Sequence, residues 1–119
     1  MIVAGLGFRR GCPADDIVRV VQRAQDRIGC TVAMLATPDW KQREPGLHAA
    51  AVRLGLPIAF VDAAALEAVQ PRCPTRSAVA ERETGVASVA EGAALAASGG
   101  SLLLARIAQG SATCALAAT

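Results

Sequence analysis

Near the start of the chain, Gly5-Leu6-Gly7-Phe8-Arg9-Arg10-Gly11 combines the residue types an anion site needs. Glycines let backbone N–H groups come close to a ligand, and arginines offer planar, bidentate donors to carboxylate or phosphate. A helix beginning just beyond would add the positive end of its dipole. Gly5, Gly7, Arg9 and Gly11 are therefore candidate ligand contacts. The segment misses the dinucleotide fingerprint, because G-x-G-x-x-G needs glycine where Arg10 stands and no acidic residue ends the next strand at the required distance.

A second polar set follows at Thr37, Asp39, Lys41 and Glu44. Two carboxylates and one amine at this spacing can orient a ligand or move a proton, which makes Asp39 and Glu44 candidate catalytic groups and Thr37 and Lys41 candidate ligand contacts. Asp62 ends a further strand and suits a helix cap. Ser88-Val89-Ala90-Glu91 has the spacing of a capping box. His48, the one histidine, falls inside a helix, so a Ser-His-Asp arrangement is not expected.

The cysteines, Cys12, Cys30, Cys73 and Cys114, form no C-x-x-C pair. With a single histidine they assemble no standard zinc pattern, and no metal or organic cofactor is expected. They read as reduced thiols of a cytoplasmic protein. Cys12 stands apart, since a thiol near a helix start and arginines is a candidate for a lowered pKa.

Strands and helices must position these groups. Ile2 to Leu6 reads as a buried strand, Ala14 to Gly29 as an amphipathic helix with Asp15 and Asp16 in its first turn, and Thr31 to Thr37 as a second strand. Pro45 suits a first helical position, and Gly55 ends that helix. Pro57 to Val61 is a third strand, and a short helix spans Ala63 to Val69. Gln70 to Thr75 is an irregular link, Ser77 to Glu83 a short helix, and Ser88 opens an Ala-rich helix ending at Gly99-Gly100. Leu102 to Ala105 and Ala112 to Leu116 flank Gln109-Gly110-Ser111 as a hairpin. The expected class is α/β, a three-layer αβα arrangement around a mostly parallel sheet of about five strands with a C-terminal antiparallel hairpin. Ligands of such sheets bind beyond the carboxyl ends of the strands.

The 119 residues fit a single domain, 1–119. Eleven of the twelve basic residues are Arg, but ten acidic residues leave a net charge of +2, which is no nucleic-acid footprint. No stretch approaches the ~18 apolar residues of a membrane span, so no membrane partner is expected.

Five motifs in order resemble one family. Gly5-x-Gly7-x-Arg9-x-Gly11, Thr37-x-Asp39-x-Lys41, Glu44-Pro45-Gly46-Leu47, Ser88-Val89-Ala90-Glu91-x-Ala93-Ala94-Leu95 and Ala112-Thr113-x-Ala115 are similar to the CobE/CbiG C-terminal domain of cobalamin biosynthesis, with the length of its stand-alone form. The resemblance implies a role in building the corrin ring, with a precorrin or corrin intermediate as ligand. It adds Ser88 and Arg106 to the ligand contacts, Arg106 standing where members often carry Lys. It also implies a possible lactone opening of precorrin-5-type intermediates, with Asp39 or Glu44 activating water. The alternative expectation is a non-catalytic module that docks on other cobalamin-pathway enzymes.

Overall fold

The first strand, β1 (Ile2–Phe8), is longer than the glycine pattern suggests, because Gly5 and Gly7 continue the ladder instead of ending it. In the computed structural model, which describes residues 1–119, α1 (Ala14–Ile28), β2 (Met34–Pro38), α2 (Pro45–Leu54), β3 (Ile58–Val61) and α3 (Ala63–Ala68) follow in turn. Then come α4 (Ala78–Thr84), α5 (Val89–Ser98), β4 (Ser101–Gln109) and β5 (Ala112–Ala118), with 3-10 turns at Asp39–Lys41 and Gln70–Arg72. No helix is long and apolar enough to cross a membrane.

The five strands lie in the order β3-β2-β1-β5-β4. β1, β2 and β3 pair in parallel, while β5 pairs antiparallel with both β1 and β4. Consequently β5 alone runs against the other four, and the carboxyl ends of β1 to β4 share one edge. The expected α/β class with a C-terminal hairpin is the observed one. The hairpin turn places Gly110 at φ 58°, a backbone region that L side chains rarely adopt.

Alternation along β1 divides its neighbours between the two faces. Ala4, Leu6 and Phe8 join Ile17, Val20, Val21 and Ala24 of α1 and Leu47 and Ala50 of α2 in the larger core. Val3 faces the other way, toward Leu66 of α3 and Ala93 of α5. Each fully buried Leu, Ile or Val contributes about 1.5–3 kcal/mol relative to exposure. With so few aromatics, small residues bring the layers together. A Cβ on Gly5 would overlap the Ala90 carbonyl oxygen, so α5 seats directly on the β1 backbone.

Caps mostly follow the sequence. The Asp62 carboxylate accepts from the Ala65 N–H at 2.8 Å, and Pro45 opens α2. Ser88 departs from the expected capping box: its side chain makes no cap bond, and its N–H donates instead to Gln70 Oε1 at 3.0 Å. Its hydroxyl donates to Glu91 Oε1 at 2.9 Å, because the Glu91 carboxylate is turned toward backbone amides outside the helix.

Candidate functional site

At the shared strand-end edge, on the α5 side of the sheet, lies an open cleft of about 860 Å³. Its floor is Gly7 and Phe8 of β1 with Ala112 and Thr113 of β5, and its walls are the turn after β1, the start of α5, α4, and the end of β4. Four cationic side chains, Arg9, Arg10, Lys41 and Arg106, line it against one carboxylate, Glu83. Trp40 and Val79, exposed by 43% and 52%, line it too. A cleft of mixed polar and apolar lining thus carries several cations at one end of the sheet.

Each cation is placed by a separate device. Arg9 and Arg10 leave β1 in a turn held by the Arg9 N–H to the Ser111 carbonyl at 3.3 Å and the Cys12 N–H to the Arg9 carbonyl at 3.1 Å. Lys41 donates from Nζ to the Phe8 carbonyl at 2.7 Å and sits 5.0 Å from the Phe8 ring centroid. Burial lowers its pKa, opposed by the nearby Glu44 carboxylate. Arg106 projects from an irregular stretch of β4, where the register with β5 shifts between Leu104 and Ile107. The side chains of Arg9, Arg10 and Arg106 make neither hydrogen bonds nor ion pairs with the protein, so their donors face solvent and the cleft.

Of the candidate residues read from the sequence, Gly7, Arg9, Lys41 and Arg106 converge here. A Cβ on Gly7 would come within 2.7 Å of Thr113 Oγ1, which donates to the Gly7 carbonyl at 3.1 Å. The rest serve the frame. Gly5 lies under α5. The Gly11 N–H donates to Glu44 Oε1 at 2.8 Å, which ties the first turn to the start of α2 and turns that carboxylate away from the cleft. Thr37 is wholly buried, its hydroxyl donating to the Leu6 carbonyl at 3.1 Å. Asp39 opens the 3-10 turn, half-buried and outside the cleft, and buried Ser88 stands just behind its α5 wall. The helix whose first turn faces the cleft, through Val89 and Ala90, is α5 and not α1.

Cys12 does not have the lowered pKa for which its place in the sequence made it a candidate. It is buried, its pKa is raised by burial and by Asp16 and Glu44, and the Ser111 hydroxyl 3.1 Å from the sulfur only partly offsets this. Proximity to arginines in sequence did not place a guanidinium against the sulfur.

Sequence reasoning missed the α4 wall, with Val79, Ala80 and Glu83, and also the role of Glu91. Glu91 is wholly buried on α5 and accepts from the Thr75 N–H, the Arg106 N–H and the Ser88 hydroxyl, each at 2.9 Å. A charged residue in an Ala-rich helix was the available signal.

A family model described as the cobalamin synthesis G C-terminus matches residues 2–117. Protein CobE of a Sinorhizobium species is 37% identical over 121 aligned residues, covering 98% of this chain and 79% of that protein. The crystal structure of CobE, a protein from the cobalamin (vitamin B12) biosynthetic pathway, superposes with a TM-score of 0.91 at 40% identity, covering 98% of this chain and 89% of that one. The cobalamin biosynthesis protein chiG from Agrobacterium tumefaciens superposes with a TM-score of 0.79 at 35% identity, covering 100% of this chain and 98% of that one.

Proposed function

This chain belongs to the CobE/CbiG C-terminal family of cobalamin biosynthesis, and from that membership we propose that its cleft binds a modified tetrapyrrole, a precorrin or corrin intermediate, through the ring's peripheral carboxylates. The observation that carries the reading is the set of Arg9, Arg10, Lys41 and Arg106 around one cleft opposed by Glu83 alone. Acetate and propionate arms spread around a macrocycle need several separated cations more than one deep pocket. Guanidinium groups pair with carboxylates in bidentate geometry, while Trp40, Val79 and Ala80 offer apolar area to the ring. The four free cysteines accord with the reducing cytoplasm in which we place this step.

Holding and handing over the intermediate is favoured over opening its lactone, because Asp39 and Glu44 do not line the cleft. Cobyrinic acid, a corrin with free peripheral carboxylates, is the probe for the test. Visible-absorption titration is expected to show binding that weakens about tenfold in Arg9→Ala and is absent for the methyl ester of the same corrin, in line with the ~1.5–3 kcal/mol of a charge-assisted hydrogen bond. Equal binding of acid and ester overturns the reading. Incubation with the lactone intermediate is expected to release no acetaldehyde; release would restore a catalytic role.

A further inference from the structure

The buried carboxylate of Glu91 touches three stretches of chain that each bear part of the cleft. Oε1 accepts from the Thr75 N–H, just ahead of α4, and from the Ser88 hydroxyl at the start of α5. Oε2 accepts from the Arg106 N–H in β4. Between Leu104, opposite Leu116, and Ile107, opposite Cys114, β4 has one residue more than β5. Such a bulge releases an amide from the ladder and re-aims a side chain. The released Arg106 amide goes to Glu91, and the Arg106 side chain goes to the cleft.

No cationic side chain pairs with Glu91, and its solvent exposure is zero. A buried carboxylate held only by neutral donors is costly to desolvate, and an apolar side chain would fill the same space more cheaply. What an apolar side chain lacks is acceptors pointing two ways at once. We propose that Glu91 is the positioning residue of the cleft: its carboxylate fixes the β4 bulge so that Arg106 meets a carboxylate of the bound tetrapyrrole, and it holds the α4 wall at the matching distance. The ligand half of this statement rests on the reading in Proposed function. The clamp itself does not.

Two measurements on the full chain separate them. Amide hydrogen exchange followed by NMR is expected to show Thr75 and Arg106 protected, and Glu91→Gln, which keeps one acceptor and must turn an N–H toward one of these donors, is expected to speed exchange at that amide by tenfold or more. Leu6 and Leu116, in the central strands, should exchange as before, which a general loss of stability would not allow. Unchanged exchange at both Thr75 and Arg106 overturns the proposal. Titration with cobyrinic acid is expected to weaken about tenfold in Glu91→Gln and in Arg106→Ala, and by no more than that in the double variant, because the first acts through the second. Losses that multiply toward a hundredfold overturn positioning through Arg106. If the unaltered protein binds no cobyrinic acid while Glu91→Gln still speeds exchange at Thr75 or Arg106, the clamp stands and the tetrapyrrole reading falls. Should Glu91→Gln not fold, Glu91→Asp keeps the charge on an arm too short to reach both amides and is expected to speed exchange at one of them; unchanged exchange at both in that variant overturns the clamp.

Discussion

Lys41 and Phe8 are joined twice, by a hydrogen bond of 2.7 Å from Nζ to the Phe8 carbonyl and by the ammonium lying 5.0 Å from the Phe8 ring centroid. The contact fastens the 3-10 turn after β2 to the last residue of β1, and so keeps Trp40 and Lys41 beside the cleft. Its charge state should be visible in binding. Burial lowers the Lys41 pKa, with Glu44 opposing, so the cation is lost at a lower pH than for an ordinary lysine. Cobyrinic acid affinity is expected to fall as pH rises through that lowered value. In Lys41→Arg the decline should be absent, since a guanidinium keeps its proton. Titrations at several alkaline pH values decide this, and parallel profiles in the two proteins would remove Lys41 from ligand binding. Lys41→Met should also lower stability by about 1 kcal/mol, because the bond is only half-buried.

Gly5→Ala is expected to be among the most damaging single methyl additions available. The new Cβ would meet the backbone of α5 at Ala90 and the Ala94 side chain, neither of which can swing aside as a flexible tip could. Overpacking of this kind costs about 1–3 kcal/mol when the core can adjust, and more when backbone is struck. Urea unfolding should show a loss of about 3 kcal/mol or more, or no soluble protein. A variant as stable as the parent would mean that α5 can lift from the sheet without cost.

How much was legible beforehand depended on whether a feature was local. Strand and helix order followed from apolar periodicity with Gly29, Gly55 and Gly99 as stops, and the Asp62 cap from its position alone. Gly5 and Gly11 were read as ligand contacts because glycine signals close approach; what approaches Gly5 is a helix, and what bonds Gly11 is Glu44. Sequence shows that a backbone is bare but not what comes to meet it. The presence of Arg9 and Arg106 in one cleft, with the α4 wall opposite, comes from a sheet order that brings β5 between β1 and β4, which no local pattern encodes. Glu91 looked like half of a capping box until the amides of Thr75 and Arg106 lay within reach of its carboxylate.

Acid should loosen the protein through two carboxylates. Burial would raise the Glu91 pKa, but the Arg106 and Thr75 amides and the Ser88 hydroxyl outweigh it and hold the group below its ordinary value. Asp16 is likewise held low, by the Ser111 N–H and hydroxyl, each at 3.0 Å. A folded-state pKa below the unfolded one means that the unfolded chain binds more protons, so this stability is present above the ordinary carboxylate range and is lost as pH falls through the lowered values. Denaturation at pH 7 and at decreasing pH should therefore show a falling stability, with a shallower slope in Glu91→Gln and in Asp16→Asn. Glu91→Ala, which leaves two part-buried amides without their acceptor, should cost about 1 kcal/mol for each. An unaltered slope in Glu91→Gln would mean that the carboxylate is already protonated in the fold.

The four cysteines should differ sharply toward an alkylating reagent. Cys114 is wholly buried on β5, and burial pushes its thiol up to about 12, while Cys12 and Cys73 are buried with raised values. Thiolate is the reacting form, so all three are protected by access and by protonation together. Cys30 stands after the end of α1, only half-buried. Iodoacetamide at pH 8 should accordingly label Cys30 in the folded protein and all four thiols in urea, read by mass spectrometry of the digested chain. Early labelling of Cys12 would be the informative exception. It would mean that the turn carrying Arg9 and Arg10 opens in solution and exposes the sulfur beneath the Ser111 hydroxyl, so that the cationic face of the cleft is made mobile by its own hinge.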